Sequence, residues 1–173
     1  MFVLRVLTLA SLALPSLALA CDGGACTAVG DGQWQWDASL RLRGMYYAPT
    51  RFGVGGGDDG YGLLRALASA SFAQGDWQAK LQLGTHTERG KAGGPGRTDR
   101  GALDVQQAYW RWSGAGMHVQ LGRQEAGYGS SRLLSVRDGP NIRLAFDGAR
   151  VGWQGRLGAL DLMALRPVEN RPG

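Results

Sequence analysis

The stretch SVRDGPNIRLAFDGAR, residues 135–150, sets Arg137, Arg143 and Arg150 beside Asp138 and Asp147, with a Gly-Pro-Asn turn among them. Guanidinium groups at this density offer planar donor forks to carboxylates, and acids between them fix where the forks point. Asp138 and Asp147 also raise the question of a glycosidase pair. Arginine neighbours lower both carboxyl pKa values, which disfavours a general acid. His86 and His118 have no ligand spacing around them and read as two solvated imidazoles. GVGGGDDG (53–60) lacks the Lys-Ser/Thr of a phosphate loop and the repeat of a calcium loop, so it reads as a flexible connection. No Ser-His-Asp or Cys-His arrangement stands out, and the expectation is a protein that is not an enzyme and has no cofactor or metal.

The chain opens MFVLRVLTLASLALPSLALACDGG: Arg5, an apolar run, then small residues ending at Ala20. That is the pattern of a secretory leader (1–20), cut before Cys21, with lipoprotein processing at Cys21 as the alternative. The apolar run is too short to span a bilayer as a helix. Without Arg5 the 19 Lys and Arg fall by one against 14 Asp and Glu, leaving a balance of plus four. This suits an acidic partner but is no nucleic-acid signature, and export argues against nucleic acid as well. Cys21 and Cys26 are close enough for a local disulfide in an oxidising compartment, within a mature N-terminus (21–32) that reads as mobile. Glycine, 29 of 173 residues, is well above the usual ~7%. A Gly-rich, aromatic, exported chain without helical spans fits an all-β fold, of which an outer-membrane barrel is one form.

The elements that must carry the charged stretch follow from alternation. In WQWDASLRLRGMYY (34–47) one face reads Trp34, Trp36, Ala38, Leu40, Leu42, Gly44, Tyr46, and the other is polar until Met45. Period 2 sustained this long exceeds an ordinary strand of about five or six residues. It suits a strand tilted across a bilayer, with aromatics at both ends marking the headgroup levels. Further strands are expected over 63–73, 77–86, 103–112, 117–125, 149–156 and 160–168, with a slip of alternation at Gln106-Gln107 that reads as a bulge. Long and short connections alternate between them, as outer loops and periplasmic turns do in bacterial barrels. About seven strands make an odd count, and an open sheet would leave unpaired edges in lipid, so the chain reads as a fragment of a larger barrel.

The run from Leu103 to Val151, carried by GRQE (122–125), Tyr128-Gly129, RLLSVRDGPN (132–141) and FDGARV (146–151), resembles the alginate export family of outer-membrane porins. Upstream, LRLRGMYY (40–47) is similar to the family's first strand. The resemblance implies an antiparallel transmembrane β-barrel of about 18 strands, of which residues 33–173 would supply the first seven or so. It implies export of an anionic polyuronate through an arginine-lined lumen in the outer membrane, in contact with lipid and with periplasmic export components. On that reading 135–150 folds into the lumen. Arg132, Arg137, Arg143 and Arg150 face the channel, while Glu125, Asp138 and Asp147 pair with them. Arg41, Arg43, Arg65, Lys80 and Arg111 fall on polar strand faces, and Arg123 joins the same anion-binding set. The competing expectation is a secreted or membrane-attached β-domain that binds an acidic glycan without forming a channel. A general anion porin without a polysaccharide role is a third.

Overall fold

The computed structural model describes residues 20–21, 24–29, 31–47, 59–130, 132–156 and 158–170, with side chains from residue 31 onward. The expected leader, apart from Ala20, lies outside these residues, as do positions 53–58 of the Gly-rich connection and the side chains of Cys21 and Cys26. Nine strands form one antiparallel sheet in chain order. Two short ones, β1 (Ala20–Cys21) and β2 (Gly24–Val29), precede seven long ones. These are β3 (Gly32–Tyr47), β4 (Asp59–Gln74), β5 (Trp77–Arg89), β6 (Gly101–Gly114), β7 (Met117–Gln124), β8 (Phe146–Gly155) and β9 (Gly158–Pro167). Among the described residues each pairs only with its neighbours in sequence, and the sheet is open.

The seven long strands are those that alternation marks, with their ends moved. The largest extension is in β4, which begins four residues early, at Asp59. There the Gly-Tyr-Gly segment continues the ladder opposite Tyr46 and Gly44. Connections at one end of the sheet are tight. Gly75 sits at φ 54°, and Ala115-Gly116 at 51° and 73°. Two successive positive φ values match the twist that a two-residue hairpin loop needs. The other end carries the connections 48–58, 90–100 and 125–145.

The two faces of the sheet reverse the arrangement of a soluble protein. Leu40, Leu42 and Leu162 are 57%, 66% and 61% exposed, whereas Arg65, His86 and Gln124 are 8%, 4% and 2% exposed. Register shows this to be a property of the whole face. Trp36, Ala70, Leu81 and Ala108 stand opposite one another across four strands, and Val119, Val151 and Leu162 across three more. A contiguous exposed apolar face marks a surface that meets a partner or a lipid phase. Its aromatics lie at both ends: near the tight turns Trp34 stacks on Trp36 at 5.8 Å and meets Phe72 at 5.0 Å, and Trp77 meets Trp110 at 4.4 Å, while Tyr46 is exposed on the same face at the other end.

The polar face is covered by the chain itself. The connection 125–145 turns back over it, burying Ala126, Ile142, Ala145 and Phe146 together with Leu63 and Leu67 of β4. Between β5 and β6 the register shifts at Gln82/Leu83, the bulge expected at Gln106-Gln107. An extra residue in one strand puts two consecutive side chains on the same face, and Gln106 and Gln107 are both buried on the polar side.

Candidate functional site

Across β3, β4 and β5 the polar face sets Arg41, Arg65 and His86 directly opposite one another. The turn Asp138–Asn141 lies on this row. Arg41 donates through Nη1 to the Asp138 carbonyl at 2.6 Å and through Nη2 to that of Pro140 at 2.7 Å. Arg43, two residues along the same face, donates to the Gly139 carbonyl. Arg65 Nη2 meets Asp138 Oδ1 at 2.7 Å. A tight turn turns several carbonyls outward at once, and guanidinium forks suit such a cluster. Asn141 is fully buried beside them. Its Nδ2 reaches the carbonyl oxygens of Leu64, Thr87 and Asp99 at 2.9, 3.3 and 2.8 Å.

The loop is shaped locally as well. Leu144 N–H donates to the Val136 carbonyl at 2.8 Å and closes the charged stretch at its base. Arg137 sits at φ 52°, a left-handed conformation that costs a side-chain-bearing residue roughly 1–2 kcal/mol. Its N–H is held by Ser135 Oγ at 3.2 Å.

Behind the turn lies a second polar layer. Arg143 pairs with Glu125 at 2.9 Å and donates to Gln82 at 3.2 Å. Gln106 bridges Glu125 Oε1 and the Arg143 carbonyl, at 2.9 and 3.1 Å. Gln107 donates to Gln82 at 2.9 Å. Both glutamines reach the layer because the bulge aims them there. Desolvation pushes the Glu125 carboxyl above the usual range, against the pull of Arg143 and Gln106. At Asp138 desolvation also pushes upward, but the Arg65 hydrogen bond and the charges of Arg65, Arg41 and Arg143 together outweigh it and hold the carboxyl below the usual range.

Nearer the tight turns the polar face carries Lys80, opposite Tyr109, and Arg111, which donates through Nε to Gln120 at 2.9 Å. Arg150 grips Asp161 with two bonds of 3.1 and 3.0 Å, and His118 Nε2 stands 3.5 Å from the same carboxylate.

The structure thus gathers Arg41, Arg43, Arg65, Arg143, Glu125 and Asp138 into one constellation, with Lys80, Arg111 and Arg150 on the same face further along. Arg132 and Arg137 are exposed and have no side-chain partner among the described residues. They line a groove with Leu133, Leu134 and Leu144. Arg123 and Asp147 stand elsewhere. Arg123 shares its face with Leu121 and Ala108, the exposed apolar one, and is joined there to Asp147 by bonds of 2.8 and 3.1 Å, with Asp104 at 3.8 Å. Two pairings also differ from expectation. Asp138 binds arginines of the wall, and Asp147 binds Arg123, so only Glu125 pairs with an arginine of the connection. β8 starts at Phe146, three residues earlier than its alternation predicts, which makes Asp147 a strand residue on the parity of Ala149 and Val151. Reading along the sequence misses Asn141, Gln82, Gln106, Gln107, Gln120 and Asp161; alternation alone places Gln82 and Gln120 on the polar face.

The family model for alginate export matches residues 33–172. No curated protein matches the chain, and no solved structure does.

Proposed function

The chain belongs to the alginate export family, and from that membership we propose that its strands are part of a closed outer-membrane barrel of about 18 strands that passes an anionic polysaccharide. The family is one of transport porins, and the chain is not an enzyme. The single observation that carries the reading is the inside-out sheet: an exposed apolar face, an arginine-rich polar face and a long connection folded onto the latter. An apolar belt with aromatics at both borders suits lipid, and a polar interior suits an aqueous lumen.

In that lumen the connection 125–145 narrows the passage. The wall arginines hold it in place, and the exposed guanidiniums of Arg132 and Arg137 present forks to passing carboxylates. Lys80, Arg111 and Arg150 extend the positive lining toward the periplasmic end. Several weak cationic stations suit conduction better than one tight site, because a polymer must leave each as readily as it enters.

The test is conductance of the complete protein in planar bilayers. We expect channels with anion preference whose current is blocked by oligouronates and far less by neutral oligosaccharides of equal length. Equal block by the two, in an anion-selective channel, would leave a general anion porin in place of a polysaccharide path.

A further inference from the structure

We propose that Asn141 is the latch that holds the connection 125–145 across the polar face, and so the residue that positions the constriction. The functional half of this statement rests on the porin reading above; the mechanical half does not.

Two sets of bonds hold the turn, and their surroundings decide which governs. The arginine set is part wet: the Asp138 side chain is 66% exposed and that of Arg41 20%, while that of Arg65 is 9% exposed. Ion pairs that leave one partner in water are screened and contribute modestly. Asn141 is 0% exposed. Its amide serves three carbonyls from three separate segments: Leu64 of β4, Thr87 of β5 and Asp99 of the connection 90–100. Next to it, Ile142 N–H donates to the Thr98 carbonyl at 2.8 Å. One side chain therefore ties the turn to two neighbouring strands and to a second long connection. Leaving these carbonyls without their donor costs more than the bond's net worth wherever water does not replace it. Asn141 is thus the one side chain of the turn that lies wholly out of water and joins three segments at once.

Detachment would swing the loop out of the lumen at the end that carries the long connections. Arg137, exposed in its side chain but fixed at φ 52° in a loop closed by the Leu144 N–H to Val136 carbonyl bond, then supplies a site that trypsin cuts more readily once the turn is free of the wall. The experiment uses the full-length protein reconstituted in lipid vesicles, as wild type and as N141A, with cleavage after Arg137 and single-channel conductance read in parallel. Heat-modifiable gel mobility checks that the barrel has assembled. We expect N141A to assemble, to be cut faster by on the order of tenfold, and to show a larger, noisier conductance. Should N141A fail to assemble, N141S, which keeps a short donor, carries the same comparison. Cleavage and conductance unchanged in an assembled variant would overturn the latch. Faster cleavage without conductance in either protein would uphold the latch and overturn the porin reading.

Discussion

At Asp138 and Glu125 two carboxylates meet arginine under opposite balances, and their pH signatures differ in sign. Asp138 is held below the usual carboxylate range. Its contribution to loop attachment is therefore complete above the unfolded-state pKa and is lost as pH falls through the folded one. Glu125 is pushed up by burial, so its protonated form is favoured on folding and acid does not weaken it in the same way. We expect channel noise to stay flat from neutral pH down to about pH 4, the ordinary Asp value, and to rise below it. D138N should be noisy already at pH 7. Equal noise in the wild type and D138N at pH 7 would remove Asp138 from the attachment. Part of this site is legible in the sequence: Arg41, Arg43 and Arg65 lie on the polar parity of strands that alternate over most of their length. Asn141 is not legible, because an Asn after Gly-Pro fits an ordinary exposed turn equally well. What sets it apart is 0% exposure, which depends on segments up to 77 residues away.

The strands themselves carry devices that a period-2 reading only half reveals. The bulge at Gln106-Gln107 shows as a slip in alternation, but its use, aiming two amides at Glu125 and Gln82, needs the partner strand to be in place. The start of β8 is hidden because Asp147-Gly148 reads as turn chemistry. Only pairing with Arg123 and Gln124 of β7 shows it to be ladder. Gly122 is a third device. It sits at φ 116°, and a Cβ there would come within 2.3 Å of the Ala108 carbonyl oxygen. Gly122→Val should therefore cost assembly beyond the usual one to three kcal/mol of a strained backbone position. We expect the heat-modifiable fraction of refolded protein to collapse in G122V. The equivalent change at Gly62, where nothing lies within 4 Å, should be mild. Equal behaviour of the two would mean that the close approach is not a constraint.

For the whole molecule the decisive property is which face meets which medium. Leu40 lies on the exposed apolar face and Ser39 on the polar one. Arginine on the lipid side of a barrel costs about 2–4 kcal/mol near the midplane and little on the lumen side. L40R should therefore refold into bilayers with much lower yield than S39R, measured by the heat-modifiable fraction. Matching yields would remove the lipid-facing assignment. The all-β antiparallel class was open to sequence reasoning because alternation, tight turns and long connections all agree, and a signal repeated over seven strands survives misplaced ends. Strand-to-strand wiring adds one more consequence. Since every strand bonds only to its predecessor and successor, inserting or deleting an up-down pair would leave all remaining partnerships as they are and change only the circumference. Girth in such a wall is a matter of counting hairpins, while the chemistry of each stave stays its own.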